Sequence, residues 1–209
     1  GNSTGSTEWG GAIYNEGTMV MHACTFDRNR ARYGGAVAQW KGMMEMHACV
    51  FDRNHAEDYG NYYGGAFLVD QGMVKMHACT FDGNRAPWGG AVANWRATME
   101  MHSCTFVGNR AGLGGAVEAW RATMMEMHAC VFDGNRAETD GGAVYNFQGT
   151  MMEMQACAFD RNHAKQHGGA VYNYHSTMAV HGCNFTNCSA EVLLLPRSAI
   201  SLRRHPPPP

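Results

Sequence analysis

Apolar and polar residues alternate along short stretches of the chain, and paired glycines separate these stretches. The first clear copies are Met19-Val20-Met21-His22 and Cys24-Thr25-Phe26. A period of two residues is typical of β-strands, whose successive side chains point to opposite faces. The paired glycines disfavour a helix. The pattern therefore predicts short strands joined by tight turns.

The strands belong to a unit that recurs about every 25 residues, and internal repeats of this length indicate a solenoid. Gly-Gly-Ala plus an apolar residue begins at Gly10, Gly34, Gly64, Gly89, Gly114, Gly141 and Gly168. Cys-x-Phe follows in phase at Cys24, Cys49, Cys79, Cys104, Cys130, Cys157 and Cys183. The unit is too short for two helices but fits three short strands. We predict an all-β fold, a right-handed parallel β-helix solenoid of about seven coils spaced by about 4.8 Å.

The repeat divides the chain into three parts. Residues 9–190 form the predicted β-helix domain, residues 1–8 an N-terminal extension and residues 191–209 an extended C-terminal tail. The chain begins at Gly1 without methionine or a signal-like segment, which favours a processed chain at the cell surface, outside the cell or in an organelle lumen over a cytosolic one. No apolar run approaches the ~18 residues of a membrane-spanning helix. Membrane association would then be peripheral, through a membrane complex.

Repeated residues fill columns, so each column can be assigned to one side of the coil. We expect the methionine pairs, the cysteines and the phenylalanines to point inward. The asparagines of Phe-x-x-Asn mark a corner, where an amide can bond neighbouring coils and accept strained backbone angles. The histidines alternate with methionine and should form an outward ladder: His22, His47, His77, His102, His128 and His181.

The cysteines and histidines predict neither a metal site nor a cofactor. CxxC-like pairs are missing, and a straight histidine column offers its ligands in a line. Reduced thiols are preferred for the cysteine column. Cys183 and Cys188 are the candidate disulfide, because Cys188 is out of phase and only five residues away.

Aromatic residues supply the candidate partner-binding positions. One column contains Trp40, Trp95, Trp120, Phe147 and Tyr174, and a second contains Trp9, Tyr33, Tyr63, Trp88 and Leu113. An insertion of about five residues adds Tyr59, Tyr62 and Tyr63 as a contact loop, and the tail adds Leu193, Leu194 and Leu195 as a cap or contact. Two interpretations stay open: the rings stack on themselves, or they form a docking face for a protein or a glycan.

The charged residues argue against two classes of function, nucleic-acid binding and catalysis. The chain has 16 Lys+Arg against 18 Asp+Glu, and this balance argues against a nucleic-acid partner. An acidic column (Asp27, Asp52, Asp82, Asp133 and Asp160) precedes a basic one (Arg30, His55, Arg85, Arg110, Arg136 and His163), and we expect the two to neutralise each other. Each acid is one rung of a repeat, so no singular catalytic cluster is evident and the chain is predicted not to be an enzyme.

Gly10-Gly11-Ala12-Ile13 and Phe26-Asp27-Arg28-Asn29, with their later copies, resemble the repeat of the chlamydial polymorphic outer-membrane proteins. The resemblance implies a parallel β-helix of the pectate-lyase-like superfamily and the role of a surface adhesin. Together the patterns predict a non-catalytic structural protein, a rigid rod docking into a larger protein assembly through aromatic face, loop and tail. The alternative is an adhesin or glycan-binding surface module, and a carbohydrate-active enzyme is the least favoured interpretation.

Overall fold

The computed structural model describes residues 9–57 and 63–191, which form a parallel β-solenoid of about seven turns. All of the regular structure in this part of the chain is β-strand, and no described segment could span a membrane as a helix. Every strand pairs in parallel with its equivalents in neighbouring coils. The predicted all-β solenoid fold is thereby confirmed.

Four strand positions recur around the coil, and we name the sheets that they build A to D. Sheet A contains Ile13–Asn15 (β1), Val37–Gln39 (β5), Phe67–Asp70 (β9), Val92–Trp95 (β12), Val117–Trp120 (β16), Val144–Phe147 (β20) and Val171–Tyr174 (β24). Sheet B contains Thr18–His22 (β2), Met43–His47 (β6), Met73–His77 (β10), Thr98–His102 (β13), Met124–His128 (β17), Met151–Gln155 (β21) and Thr177–His181 (β25).

Sheet C contains Thr25–Asp27 (β3), Val50–Asp52 (β7), Thr80–Asp82 (β11), Thr105–Val107 (β14), Val131–Asp133 (β18), Ala158–Asp160 (β22) and Asn184–Thr186 (β26). Sheet D has two-residue strands: Arg30–Ala31 (β4), His55–Ala56 (β8), Arg110–Ala111 (β15), Arg136–Ala137 (β19), His163–Ala164 (β23) and Ser189–Ala190 (β27). Arg85 links its two groups of strands by single parallel bridges to His55 and Arg110.

The interior follows the predicted columns. Phenylalanines of sheet C stack face to face, with ring centroids 4.8 Å apart for both Phe81–Phe106 and Phe106–Phe132. The methionine pairs of sheet B, such as Met99 and Met101, are fully buried. Methionines at the first position of a sheet B strand lie on the other face, and Met151 is 54% exposed. Most of the methionine column, though not all of it, is therefore core.

The cysteines also point inward, and those of the middle coils, from Cys49 to Cys157, are buried as free thiols. The Cys104 thiol lies 3.5 Å from the His102 carbonyl and 3.7 Å from the Met76 carbonyl of the preceding coil, so it can donate to either. Burial raises the pKa of Cys49 to about 11. Cys183 and Cys188 stand in different columns, and each approaches a carbonyl of the coil before it. The disulfide between them stays a prediction.

The asparagine corner is a continuous hydrogen-bonded ladder. The Asn84 side-chain amide donates to the Phe51 carbonyl and to Asn109 Oδ1, at 2.9 and 3.0 Å. Asn109 Oδ1 also accepts from the Asn84 backbone N–H. The left-handed backbone expected at asparagine lies one residue earlier, for example at Arg53 with φ 51°. Asparagine therefore contributes side-chain hydrogen bonds between coils, and the residue before it adopts the left-handed backbone of the turn.

The glycine pair permits the coils to approach at the start of sheet A. Gly89 has φ 60°, and a Cβ at Gly90 would lie 2.0 Å from the carbonyl oxygen of Gly115 in the next coil. A side chain at either position would strain or collide with backbone. This explains why the pair recurs in phase.

Candidate functional site

The outer face of sheet A carries a second packed layer, so this sheet is covered on both sides. Side chains from the turn before the sheet and from its strand ends lie over the middle outward column, which contains Tyr14, Ala38, Leu68, Ala93, Glu118, Tyr145 and Tyr172. We call the rings on this face the aromatic layer: Trp9, Tyr14, Tyr33, Trp40, Tyr63, Trp88, Trp95, Trp120, Tyr145, Phe147, Tyr172 and Tyr174.

Rings of the aromatic layer pack on each other along the rod. Trp9 stacks on Tyr33 with centroids 4.5 Å apart, and Phe147 stacks on Tyr174 at 5.5 Å. Between these ends, Trp95 contacts Tyr63 edge to face at 3.9 Å and lies 5.0 Å from Trp120. Stacking and edge-to-face contacts stabilise aromatic pairs beyond simple burial. The self-stacking interpretation of these columns is thus observed.

A small hydrophobic cluster forms the base of the layer, with Tyr63, Leu68 and Ala93 buried and Trp88 and Trp95 packed against them. Tyr63, predicted as a loop contact, is only 4% exposed and belongs to this packing. The outward column predicted for partner binding is half-buried at Trp40, Trp95, Trp120 and Phe147 and exposed at Tyr174. Binding by these residues stays a prediction. Tyr59, Tyr62, Leu193, Leu194 and Leu195 lie outside the described residues.

Glu118 is the singular residue beneath the layer. In sheet A its register partners are Ala93 and Tyr145, and its side chain is completely buried. Neither carboxyl oxygen has a well-aligned hydrogen-bond partner among the described residues, although the Trp95 indole N–H lies close enough to favour the charged form. The indole N–H groups of Trp95 and Trp120 are likewise buried and without a partner there. A buried carboxyl in such a setting strongly disfavours its charged form.

Burial raises the pKa of Glu118 well above its ordinary 4.5, and the nearby Trp95 N–H opposes this only in part. Burial is also the main cause of the raised pKa of Tyr63 and of Tyr145, and the Glu118 carboxyl adds to both. A neutral carboxylic acid can donate a hydrogen bond as well as accept one. Burial thus favours the protonated form of Glu118 inside the aromatic layer.

Among the other carboxylates at this face, Asp70 and Asp140 are ion-paired, and Glu16 accepts from the Tyr14 hydroxyl at 2.6 Å. Arg96 binds Asp70 through Nε and Nη2, with three contacts of 2.6 to 3.1 Å, and the Asp70 side chain is 3% exposed. Asp140 Oδ1 lies 2.7 Å from His167 Nδ1. Glycoside hydrolysis needs two carboxyl groups set across the scissile bond. Glu118 is buried and these other carboxylates are engaged, so the arrangement does not present such a pair.

Sequence reasoning missed Glu118. The sequence does single out Glu118, because the other residues in the middle outward column of sheet A are alanine, leucine or tyrosine and only Glu118 is charged. The alternation of sheet A also places that column outward, where a charged residue is unremarkable. Its burial depends on rings that reach over it from both sides, which the alternation does not reveal.

Arginine side chains border the aromatic layer. The Arg121 guanidinium lies over the Trp120 ring, 5.1 Å from its centroid, and Arg121 Nε donates to Gln148 Oε1 at 3.1 Å. Arg96 and Arg121 follow Trp95 and Trp120 directly and have left-handed backbones, φ 54° and 49°. The face thus combines packed rings with a charged rim.

The histidine ladder occupies the outer face of sheet B, as predicted. Neighbouring rings from His47 to His128 are stacked with centroids 5.0 Å apart. His47 Nε2 also lies 2.7 Å from Glu45 Oε1. Burial lowers the pKa of His77, and His102 and His47 lower it further. No group of three or more His, Cys, Asp or Glu residues suited to a metal occurs in residues 9–57 and 63–191.

Mild acidification will destabilise the solenoid through this ladder. The pKa of His77 is lower in the folded protein than its ordinary value of 6.5. The stabilisation from neutral His77 is therefore complete above pH 6.5 and is lost as the pH falls through the folded-state pKa. Glu45 opposes and Lys75 reinforces the shift, and the group is partly exposed, so we expect less than about 1 kcal/mol. Thermal unfolding between about pH 7.5 and pH 5.5 measures this. On acidification the thermal midpoint should fall less for His77→Asn than for the wild type. Equal falls would show that His77 does not cause the pH dependence.

The acidic column pairs with different arginines from those expected. Arg53 Nε donates to Asp52 at 3.0 Å, Arg28 contacts Asp27 at 3.4 Å, and Arg161 bridges Asp133 and Asp160. These arginines lie in the turn directly beside the acids. The predicted partners (Arg30, Arg85, Arg110 and Arg136) lie across the corner on sheet D. The expected pairing of the two columns is therefore wrong for these acids.

Comparison with known proteins supports the repeat assignment. The family model of the Chlamydia polymorphic membrane protein (Chlamydia_PMP) repeat matches residues 129–146, which run from the end of the His128 strand through Phe-x-x-Asn to the next Gly-Gly-Ala and sheet A strand. The resemblance seen in the sequence is confirmed at this unit. Its description names a membrane-protein repeat and no catalytic activity. Searches of curated proteins and of solved structures found no match.

The repeat match and the β-solenoid fit a structural or adhesin-like role, and the repeat family is one of surface proteins rather than enzymes.

Proposed function

We propose that the chain is a non-catalytic interaction protein, a rigid rod whose aromatic layer docks onto a protein partner in a larger assembly. The observation that carries the proposal is the layer of packed rings along sheet A, which forms one run from Trp9 to Trp120 and a second from Tyr145 to Tyr174, with Arg96 and Arg121 at its rim. Tryptophan, tyrosine and arginine are the residues most enriched at the energetic centres of protein interfaces.

The packing of the layer favours a protein over a sugar. Its rings hold each other in place, so binding would cost little side-chain entropy. The indole N–H groups of Trp95 and Trp120 are buried and turned away from solvent, whereas a sugar platform needs polar groups beside its rings. The exposed end of the layer, with Tyr174 at 39% exposure, offers apolar contact area.

Matched surface variants test this proposal in the native source. Tyr174 lies in the layer and is 39% exposed, while Val131 lies on sheet C and is 40% exposed. We expect the wild type and Val131→Asp to sediment with a partner, and Tyr174→Asp to sediment as the free chain. Cross-linking from position 174, but not from position 131, should reach that partner. A free wild-type chain, or equal loss for both variants, would refute docking through this face.

A glycan-binding adhesin is the second candidate, favoured by the match to a membrane-protein repeat. Half-buried tryptophan rings can stack on sugar faces. Binding on a glycan array that is lost in Trp95→Ala and Trp120→Ala, with no protein partner recovered, would favour it over protein docking.

A further inference from the structure

Two adjacent copies of the Asn-x-Ser/Thr acceptor pattern lie in the last coil, at Asn184-Phe185-Thr186 and Asn187-Cys188-Ser189. At this pattern the secretory pathway attaches an oligosaccharide to the asparagine side chain. A three-residue pattern arises often by chance, so the surroundings of each asparagine must decide between the copies. We propose that Asn184 carries an N-linked oligosaccharide and that Asn187 does not. The proposal does not depend on docking through the aromatic layer.

The alternation of sheet C turns the acceptor side chain of Asn184 toward solvent. Phe185 continues the inward phenylalanine stack, with its ring centroid 4.8 Å from that of Phe159. Asn184 and Thr186, on either side of Phe185, therefore point outward, and both are exposed. The acceptor amide and the hydroxyl that the pattern requires thus lie on the same exposed face of one strand.

The neighbourhood of Asn184 leaves room for a sugar. Its register partner in the preceding coil is Ala158, whose side chain is a single methyl group. Because β26 is the terminal strand of sheet C, no described strand flanks Asn184 on its other side. Within residues 9–57 and 63–191, neither the Asn184 nor the Thr186 side chain takes part in a hydrogen bond. Attachment at Asn184 would therefore break no described contact.

Asn187 is also exposed, but its side chain already has a structural role. Its backbone is left-handed, with φ 50°, at the turn that follows sheet C. Its side-chain amide donates to Asp160 Oδ1 at 3.0 Å, so a sugar on this nitrogen would compete with a bond between coils. The hydroxyl of its pattern, Ser189 Oγ, lies 2.9 Å from His163 Nδ1. Contacts within the fold thus account for the residues of the second pattern.

The last coil departs from the repeat at both key positions of the first pattern. Earlier coils have threonine, valine or alanine where this coil has Asn184, and five of them have aspartate where it has Thr186. A residue repeated in every coil is explained by stacking on its copies. Asn184 and Thr186 have no copies to stack on, and together they create the acceptor pattern.

The attachment is a group transfer with a defined donor, a lipid diphosphate-linked oligosaccharide that the secretory pathway supplies together with its transferase. Asn184 Nδ2 forms a bond to the anomeric carbon of the first sugar and loses one proton. The bond from that carbon to the diphosphate oxygen breaks, and the diphosphate leaves with the electron pair. The proposal requires a secretory route for the chain, and the proteins of the repeat family are surface proteins.

Mass spectrometry of the chain isolated from its native source tests the proposal directly. A glycan-removing amidase converts glycosylated asparagine into aspartate, and in heavy-oxygen water it labels those positions. A sample treated without the amidase controls for spontaneous deamidation. We expect the label at position 184 and none at position 187. An unlabelled position 184 would overturn the proposal, and a label at position 187 would overturn the choice between the two patterns.

Matched variants secreted from a eukaryotic cell separate the two patterns. Asn184→Gln and Thr186→Val should each remove one oligosaccharide relative to the wild type, because the pattern requires both the amide and the hydroxyl. Asn187→Gln and Ser189→Ala are the controls and should keep the wild-type number, read as the gel shift on amidase treatment. The reverse result, with a loss in Asn187→Gln and none in Asn184→Gln, would overturn the assignment.

Discussion

Replacing Asn109 with leucine will lower the free energy of unfolding by about 3 kcal/mol. Asn109 is fully buried, and leucine matches it approximately in size but cannot hydrogen-bond. The change removes the donor to the Phe81 carbonyl and the acceptor of the Asn84 backbone N–H. Each buried group left without a partner costs about 1–3 kcal/mol.

Asn29→Leu supplies the control for the asparagine ladder. Asn29 is half-buried in the first described coil, and among the described residues its side-chain amide donates to Asn54 Oδ1 alone. We expect a loss below about 1 kcal/mol there. Urea denaturation followed by circular dichroism measures both variants, provided that the m-values agree. Equal losses at the two positions would contradict the view that the ladder stabilises the coils through its buried amides.

Replacing Glu118 with leucine will stabilise the protein at neutral pH by about 1–3 kcal/mol, because it removes a buried polar group that has no described partner. Glu118→Gln will separate titration from packing. The pKa of Glu118 is raised in the folded state, so its contribution is complete below 4.5 and is lost as the pH rises through the folded-state value. The free energy of unfolding of Glu118→Gln should therefore exceed that of the wild type by a growing amount as the pH rises above 4.5.

The difference in unfolding free energy between each variant and the wild type isolates this effect from the histidine ladder, which acts in the opposite direction. Glu126→Gln is a suitable control, since Glu126 lies on the outer face of sheet B and is partly exposed. We expect its difference from the wild type to stay within about 0.5 kcal/mol at every pH. A Glu118→Gln difference that does not change with pH would show that the carboxyl is not held neutral.

If both results are obtained, two kinds of buried polar residue can be compared in one solenoid. The asparagines satisfy each other from coil to coil, whereas Glu118 occurs once and has no described partner for its oxygens. A fully bonded network adds stability and order, while an isolated acid costs stability. Because Glu118 lowers stability, its substitution should also be tested for an effect on binding by the aromatic layer.

Much of the fold could be predicted from the repeat. Phe81, Phe106 and Phe132 occupy one phase of the sequence and stack in one column of the structure. The cysteine column and the methionine pairs likewise recur in phase and lie in the interior. Met151 lies outward because it is the first residue of its strand, one position before the inward Met152.

The candidate sites were less predictable. The alternation placed Trp95 and Trp120 outward, but it could not show that rings from two corners fold over the sheet and bury Glu118. It also could not choose between near and distant arginines for Asp52, because ring and ion-pair geometry depend on the path of the turn.

By itself the sequence determined the solenoid, its coil number and its inward columns, because a residue repeated once per coil must stack on its copies. It also indicated, through the repeat, a structural or adhesin-like protein. The tertiary structure alone decided which outward columns are covered and which charges meet. Those outcomes depend on contacts between columns, and a one-dimensional repeat specifies only contacts within a column.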